Sequence, residues 1–202
     1  KHLTTGDGGA LICKNKKDYL SARKLKWFGY DRDSVKNKKG EWKGQKWDAD
    51  IDKDHVGYKF NMNNISAAIG IVQLRFVDNL IKKNIRNAKI YLKAFKNSNI
   101  IQSIRLPNEA VSSYWVFTCI FKGNKNERDL LLEKLIAEGI GAGLVHLPNH
   151  KYTAFKEFNT CLPGTKDFSD HQISLPCGWW LTQENCEHIA SRVKALSNQI
   201  IN

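Results

Sequence analysis

A lysine, Lys1, begins a glycine-rich segment at the start of the sequence, KHLTTGDGGA (residues 1–10). The apolar run Ala10–Cys13 that follows predicts a tight turn entering a buried strand. Glycines remove side-chain bulk where the backbone passes close to another group. A desolvated amine at Lys1 beside such a turn can act as the nucleophile of Schiff-base chemistry. The spacing equally suits an ordinary glycine turn with a solvated lysine, so the residues alone leave both interpretations open.

Two histidines four residues apart, His146 and His150, form the other spacing with chemical potential. Such a pair can bind a metal ion from one face of a helix. Pro148 lies between them and disfavours that helix. We therefore predict no metal site. A surface loop and a loop that contacts substrate both remain open for this segment.

Charge and cysteine content narrow the function classes. Lys and Arg outnumber Asp and Glu by 32 to 20, giving a net charge of +12. That balance suggests nucleic acid as a partner. The basic residues are dispersed, however, and no nucleic-acid-binding signature occurs, so a solvated basic surface is preferred.

Five cysteines without a CxxC pair argue against disulfides and favour a reducing cytoplasm. No apolar run approaches the roughly 18–20 residues that span a bilayer.

The elements that must position these residues follow from hydrophobic periodicity. Helices are predicted at 18–27, 65–74, 79–95, 127–138 and from 182 onwards. The helix at 65–74 is apolar nearly all round, which predicts burial. Strands are predicted at Tyr114–Phe121 and Ile140–Leu147, and a loop is predicted to begin at Ser174. Residues 31–56 lack periodicity, which fits a surface insertion or a substrate-covering loop equally well.

The opening segment resembles the cofactor-lysine motif of the DegT/DnrJ/EryC1/StrS family of sugar aminotransferases, which use pyridoxal 5′-phosphate (PLP). The resemblance continues through Gly57–Leu74, Leu144–His150 and Ser174–Pro176. It implies an α/β chain of PLP-dependent transferase fold type I, like aspartate aminotransferase. Residues 1–97 would form the C-terminal part of the large domain, and residues 98–202 a small α/β domain. A long segment that includes the aspartate partner of the cofactor ring is expected to precede Lys1, so we expect the 202-residue chain alone to be inactive.

The resemblance also implies the reaction. Lys1 would hold PLP as a Schiff base, and an amino group, usually from glutamate, would pass to a nucleotide-linked keto sugar such as an NDP-4-keto-6-deoxyhexose. The family works as a homodimer with shared sites.

The same resemblance assigns the other site residues. The loop at residues 57–61 would reach the cofactor phosphate of the partner. Lys59 stands where asparagine is common, and Asn61 stands where arginine is common, so the phosphate contact is assigned to Lys59. Asn61, His146 and His150 are assigned to the sugar-nucleotide substrate.

Three alternatives remain open. The PLP-dependent sugar 3-dehydratases are similar but carry histidine in place of the lysine, and His2 is adjacent to Lys1. A basic nucleic-acid-binding or assembly module is the second alternative, and a fragment kept only for dimerisation is the third.

Overall fold

Six helices and three strands form the part of the chain that the computed structural model describes, residues 1–31, 34–43, 51 and 56–201. The helices are α1 (Lys16–Leu25), α2 (Asn64–Leu74), α3 (Val77–Phe95), α4 (Lys125–Ala137), α5 (Pro163–His171) and α6 (Gln183–Ile201). The strands are β1 (Ile101–Ser103), β2 (Val116–Phe121) and β3 (Gln172–Pro176), and two short 3-10 helices span Asn149–Lys151 and Thr153–Phe158. No helix within these described ranges is long and apolar enough to cross a membrane.

Contacts divide the chain into two units. One comprises Leu3–Arg75, and the other comprises Lys1–His2 together with Phe76–Asn202. Helix α3 belongs to the second unit because it packs against α6 and β1. The predicted division of the enzyme fold at residue 97 stays a prediction, but the end of α2, not the end of α3, separates the two sets of contacts in this chain.

The larger unit is built on an antiparallel sheet in the order β1-β2-β3. Strand β2 pairs with β1 through Ile101 and Phe121, and with β3 through Phe117 and Leu175. Alternate residues of β2 are buried, as expected for a strand with one face on a core. Helix α3 supplies the aromatic part of that core, since Tyr91 lies 5.0 Å from Phe117 between ring centroids.

Local signals in the sequence set the ends of the helices. Asn63 caps α2 by accepting from the backbone N–H of Ser66 at 2.8 Å. Helix α4 begins with a capping box, in which Asn124 accepts from the N–H of Glu127 and the Glu127 carboxylate accepts from the N–H of Asn124. Arg192 of α6 makes a two-pronged ion pair with Glu138 just after α4, at 2.6 and 2.7 Å.

Three predicted elements differ from the structure. Residues 10–13 form no strand, and Leu11 and Ile12 are 78% and 91% exposed. Residues 140–147 make only an isolated bridge from Gly143 to Ser174. The segment assigned to a loop from Ser174 is instead the end of β3, where pairing with β2 satisfies its backbone groups.

Helix α2 also departs from expectation. Gly70 is its one buried residue among those described, and Ile65, Ile71 and Leu74 are 76%, 61% and 59% exposed. The physical reason is that, among its described residues, the Leu3–Arg75 unit offers only α1 as a second helix, which is too little structure to cover an all-round apolar helix. The predicted segment 31–56 lies partly outside the described residues, at 32–33, 44–50 and 52–55.

Candidate active site

The amine of Lys1 sits on an aromatic face. Its Nζ lies 4.6 Å from the centroid of the Trp115 ring, within the range of a cation–π contact. Lys1 is exposed and Trp115 is 38% exposed, so the amine and part of the Trp115 side chain are accessible to solvent. Trp115 directly precedes β2. The paired backbone of this strand fixes the position of the backbone from which the Trp115 side chain extends. The arrangement presents a primary amine beside a flat apolar surface.

A buried asparagine links the residues next to this pair. The Asn84 side-chain amide nitrogen on α3 lies 2.7 Å from Nε2 of His2 and donates to the Tyr114 carbonyl oxygen at 3.0 Å. Asn84 is only 2% exposed. His2 follows Lys1, and Tyr114 precedes Trp115. One amide group therefore touches both chain segments that carry the cation–π pair.

These contacts define the protonation of His2. The Asn84 nitrogen must face the Tyr114 carbonyl, because a carbonyl only accepts, so the second N–H of that amide points to Nε2. Nε2 is consequently an acceptor, and the imidazole is neutral. Burial lowers the pKa of His2 below its ordinary value of 6.5, opposed by a hydrogen bond to the Ser113 backbone that raises it.

The two predicted substrate histidines have different surroundings. The ring centroid of His146 lies 6.4 Å from that of Trp115, which places His146 in the same neighbourhood as Lys1. Its carbonyl accepts from the Gln172 side chain at 3.2 Å. His150 lies in the 3-10 helix Asn149–Lys151 and is half-buried. No group of three or more His, Cys, Asp and Glu side chains that could hold a metal ion occurs in the described part of the chain.

The glycine-rich segment forms a tight turn. Gly6 and Gly8 have φ values of 81° and 152°, a region that favours glycine. The Thr5 hydroxyl donates to the Asp7 carbonyl oxygen at 2.9 Å, closing the turn locally. A Cβ added to Gly8 would lie 2.7 Å from that hydroxyl oxygen. The predicted turn is therefore present, although the strand after it is not.

The segment that carries Lys59 is held by the end of α1. The backbone N–H groups of Tyr58 and Phe60 donate to the carbonyls of Leu25 and Lys26 at 3.0 and 2.9 Å. Lys59 itself is exposed, and its Nζ lies 5.8 Å from the centroid of the Trp27 ring. A fixed backbone with an exposed ammonium group suits the binding of an anion.

Asn61 carries an unsatisfied polar atom. Its Oδ1 is buried and has no hydrogen-bond partner among the described residues. The residue lines a cavity of about 420 Å³ with Arg23, Lys26 and Tyr30. An orphaned acceptor in a polar cavity indicates a place where a donor from a ligand would be stabilised.

Lys1 and His146 belong to one unit, whereas Lys59 and Asn61 belong to the other. The sequence analysis missed Trp115 and Asn84. Asn84 had a detectable signal, because it falls in phase with the buried residues Ala88, Tyr91 and Phe95 on one face of α3. A polar side chain on the buried face of a helix requires a hydrogen-bond partner. Trp115 had no comparable signal.

Known proteins are similar in sequence to this chain. A sequence model of the DegT/DnrJ/EryC1/StrS aminotransferase family matches residues 1–194. A UDP-4-amino-4,6-dideoxy-N-acetyl-beta-L-altrosamine transaminase from Helicobacter pylori is 28% identical over 196 residues, covering 96% of the chain and 49% of the relative. GDP-perosamine synthase from Escherichia coli O157:H7 is 26% identical over 193 residues, covering 96% of the chain and 48% of the relative. The chain spans about half the length of these curated relatives.

Solved structures share the fold. The sugar aminotransferase CalS13 from Micromonospora echinospora superposes with a TM-score of 0.80 at 26% identity, covering 96% of this chain and 49% of that one. AtS13 from Actinomadura melliaura gives 0.79 at 28% identity, with 96% and 48% covered. The predicted fold class, a partial fold type I transferase, is confirmed. The chain belongs to the DegT/DnrJ/EryC1/StrS aminotransferase family.

Proposed function

We propose that the intact polypeptide carrying this chain is a PLP-dependent aminotransferase that moves an amino group to a nucleotide-linked keto sugar. The observation that carries the proposal is the exposed Lys1 amine over Trp115, in the same short segment as the glycine turn, in a chain whose residues 1–194 match the family. The relatives named as a UDP-sugar transaminase and as GDP-perosamine synthase support a nucleotide sugar as the acceptor. A 4-keto-6-deoxyhexose is the acceptor we propose, and glutamate is the proposed donor.

The residues present fit the cofactor. Lys1 offers the primary amine that the cofactor aldehyde requires, and the partly exposed ring of Trp115 offers an apolar surface beside it. Lys59 offers an exposed ammonium group for the phosphate. When bound, PLP supplies an electron sink that stabilises negative charge at the Cα of the amino donor.

Lys1 performs two tasks in this proposal. With the cofactor bound, its Nζ would be the group that holds the cofactor covalently, which would fix the reactive group in place. In its free form the same amine would be the base that takes the proton from the donor's Cα. His2 is a poorer candidate for this proton, because its Nε2 already accepts from Asn84. That difference supports an aminotransferase over the 3-dehydratase alternative, in which histidine replaces the lysine.

We extend the proposal to a homodimer with shared sites. In that assembly Lys59 of one protomer would serve the cofactor phosphate of its partner, and Asn61 and His146 would face the sugar nucleotide. His150 is proposed as a further substrate contact. The exposed apolar side chains of α2 support an assembly, since Ile65, Ile71 and Leu74 would be covered by additional protein. A cytoplasmic location is proposed from five free cysteines, three of them buried.

The test is covalent trapping. The intact polypeptide is mixed with PLP, reduced with borohydride and digested, and the modified peptide is located by mass spectrometry. We expect one phosphopyridoxyl group on Lys1 and none on Lys16, an exposed lysine at the start of α1 that serves as an internal control. An adduct absent from Lys1 would overturn the proposal.

The acceptor is tested separately with glutamate and either a UDP- or a GDP-linked 4-keto-6-deoxy sugar. We expect 2-oxoglutarate and amino sugar to form in equal amounts, because each amino group lost by glutamate must appear on the sugar. Trapping on Lys1 without turnover of either sugar would retain the cofactor assignment and reject this substrate class. Salt-sensitive binding of RNA or DNA in place of turnover would favour the nucleic-acid alternative.

A further inference from the structure

Two short segments come together at Asn84. Lys1 and His2 lie far in sequence from Tyr114 and Trp115, yet one side-chain amide donates to His2 and to Tyr114. Both N–H groups of that amide are used. Its Oδ1 is buried without a partner among the described residues. The Asn84 side chain therefore acts here through its two N–H donors and not through its carbonyl oxygen.

The Tyr114 contact supports an uncommon backbone conformation. Tyr114 has a φ of 46°, in the left-handed region, which costs about 1–2 kcal/mol for a residue with a Cβ. Its carbonyl accepts from Asn84 at 3.0 Å, and its N–H donates to the Ser112 hydroxyl at 3.1 Å. Its ring stacks on Phe117 with centroids 6.2 Å apart. These contacts over-determine the turn and thereby fix the direction in which Trp115 leaves it.

The His2 contact acts on the other member of the pair. The His2 ring is held by Asn84, whose side-chain nitrogen lies 2.7 Å from Nε2. Because consecutive residues share a peptide plane, holding His2 restricts the backbone of Lys1. The remaining freedom of the amine is then set by the Lys1 side chain and the face of Trp115.

We propose that Asn84 is a positioning residue that fixes the Lys1 amine over Trp115, holding Lys1 through His2 and Trp115 through Tyr114. The inference rests on the proposed role of Lys1 in cofactor binding. Asn84 touches neither the amine nor the aromatic ring. Its effect is to reduce the number of arrangements that the two segments can adopt before a cofactor arrives.

The test measures the geometry of the amine without cofactor. Lysine labelled with ¹³C at Cε is introduced into the intact polypeptide, and the Lys1 signal is identified by its loss in Lys1→Arg. A CH₂ group above an indole face is shifted by the ring current. We expect Trp115→Leu to remove that shift, and Asn84→Leu, which keeps the volume but removes both donors, to remove most of it.

Asn87→Leu is the matched control. Asn87 lies three residues further along α3 and is fully buried, and its side chain donates to the Gly178 carbonyl at 2.8 Å. Both variants lose the hydrogen bonds of a buried asparagine side chain on the same helix, so a general destabilisation would affect both. We expect the Lys1 signal to keep its ring-current shift in Asn87→Leu and to lose most of it in Asn84→Leu. If Asn84→Leu does not fold, His2→Leu removes the Asn84–His2 contact at a half-buried position. This variant is expected to remove most of the ring-current shift of the Lys1 signal.

A Lys1 signal that keeps its shift in Asn84→Leu, or that moves equally in Asn87→Leu, would overturn the proposal. So would an unshifted signal in the unmodified protein. The outcome is separate from that of the borohydride test. Trapping that fails while Asn84→Leu still releases the amine would reject the cofactor role and leave the positioning role intact.

Discussion

The Nζ of Lys1 and the indole ring of Trp115 lie 4.6 Å apart, measured from the nitrogen to the ring centroid. The two residues are separated by more than half of the chain. At an exposed site such a contact contributes about 0.5–1 kcal/mol, enough to favour one position of a flexible lysine without locking it. Lys1 is thus oriented yet free to react.

Replacing Lys1 by Arg should separate its charge from its chemistry. A guanidinium group stays protonated and stacks on aromatic faces, so the contact with Trp115 and the thermal midpoint should be retained. It cannot form the covalent link, so turnover should fall by about 10³-fold or more. Turnover and differential scanning calorimetry on the same preparation check both expectations. Substantial remaining turnover in Lys1→Arg would contradict the assigned role.

Lys59→Gln should weaken the hold on the cofactor phosphate. A hydrogen bond to a charged group contributes about 1.5 kcal/mol at the lower end, which corresponds to roughly a tenfold rise in the Kd of PLP. Pyridoxal, which lacks the phosphate, is the control ligand, and its Kd should not change. Lys59→Arg should retain most of the affinity. An equal loss of affinity for PLP and pyridoxal would show that Lys59 acts elsewhere.

Gly57→Ala should disturb the segment that carries Lys59. The added Cβ would overlap the Leu25 carbonyl oxygen and lie 2.7 Å from the Leu25 Cα, so the backbone must move. The N–H groups of Tyr58 and Phe60, which donate to Leu25 and Lys26, should then exchange with solvent faster.

Hydrogen–deuterium exchange measures this change. Gly9→Ala is the control within the same unit, because a Cβ there meets nothing within 4 Å. Protection of Tyr58 and Phe60 that is unchanged in Gly57→Ala would show that the chain accommodates the methyl group without opening the segment.

The pH dependence of stability should contain a contribution from His2. Its pKa in the folded state is lowered, chiefly by burial, so well above pH 6.5 the ring is neutral in both the folded and the unfolded chain. As the pH falls below 6.5 the unfolded state takes up the proton first, and the free energy of unfolding decreases. Protonation also removes the Nε2 lone pair that accepts from Asn84.

His2→Phe should remove that part of the pH dependence. Thermal midpoints of both proteins between about pH 8 and pH 5 measure the difference, which should grow in favour of the variant as the pH falls. A constant difference across this range would mean that the His2 ring accepts a proton as readily in the folded chain as in the unfolded one.

Local patterns in the sequence determined much of this protein. The 3.6-residue period located five of the six helices, and Asn63 caps α2 as its residue type predicts. The glycine segment determined a tight turn, because Gly6 and Gly8 adopt φ values that other residues disfavour. The motifs also determined the family, because it depends on short runs of adjacent residues. The role of Lys1 that they predict stays a prediction.

The tertiary structure decided what depends on distant residues. Strand β3 was missed because a short apolar run becomes a strand only when β2 offers its backbone groups. Helix α2 looked buried, and its exposure reflects how little structure surrounds it in this chain. The contact between Lys1 and Trp115 depends on the turn at Tyr114, whose carbonyl accepts from Asn84 on α3. No local pattern in the sequence predicts that contact. Contacts between segments far apart in sequence depend on how the whole core packs, so only the folded chain could place the amine on its ring.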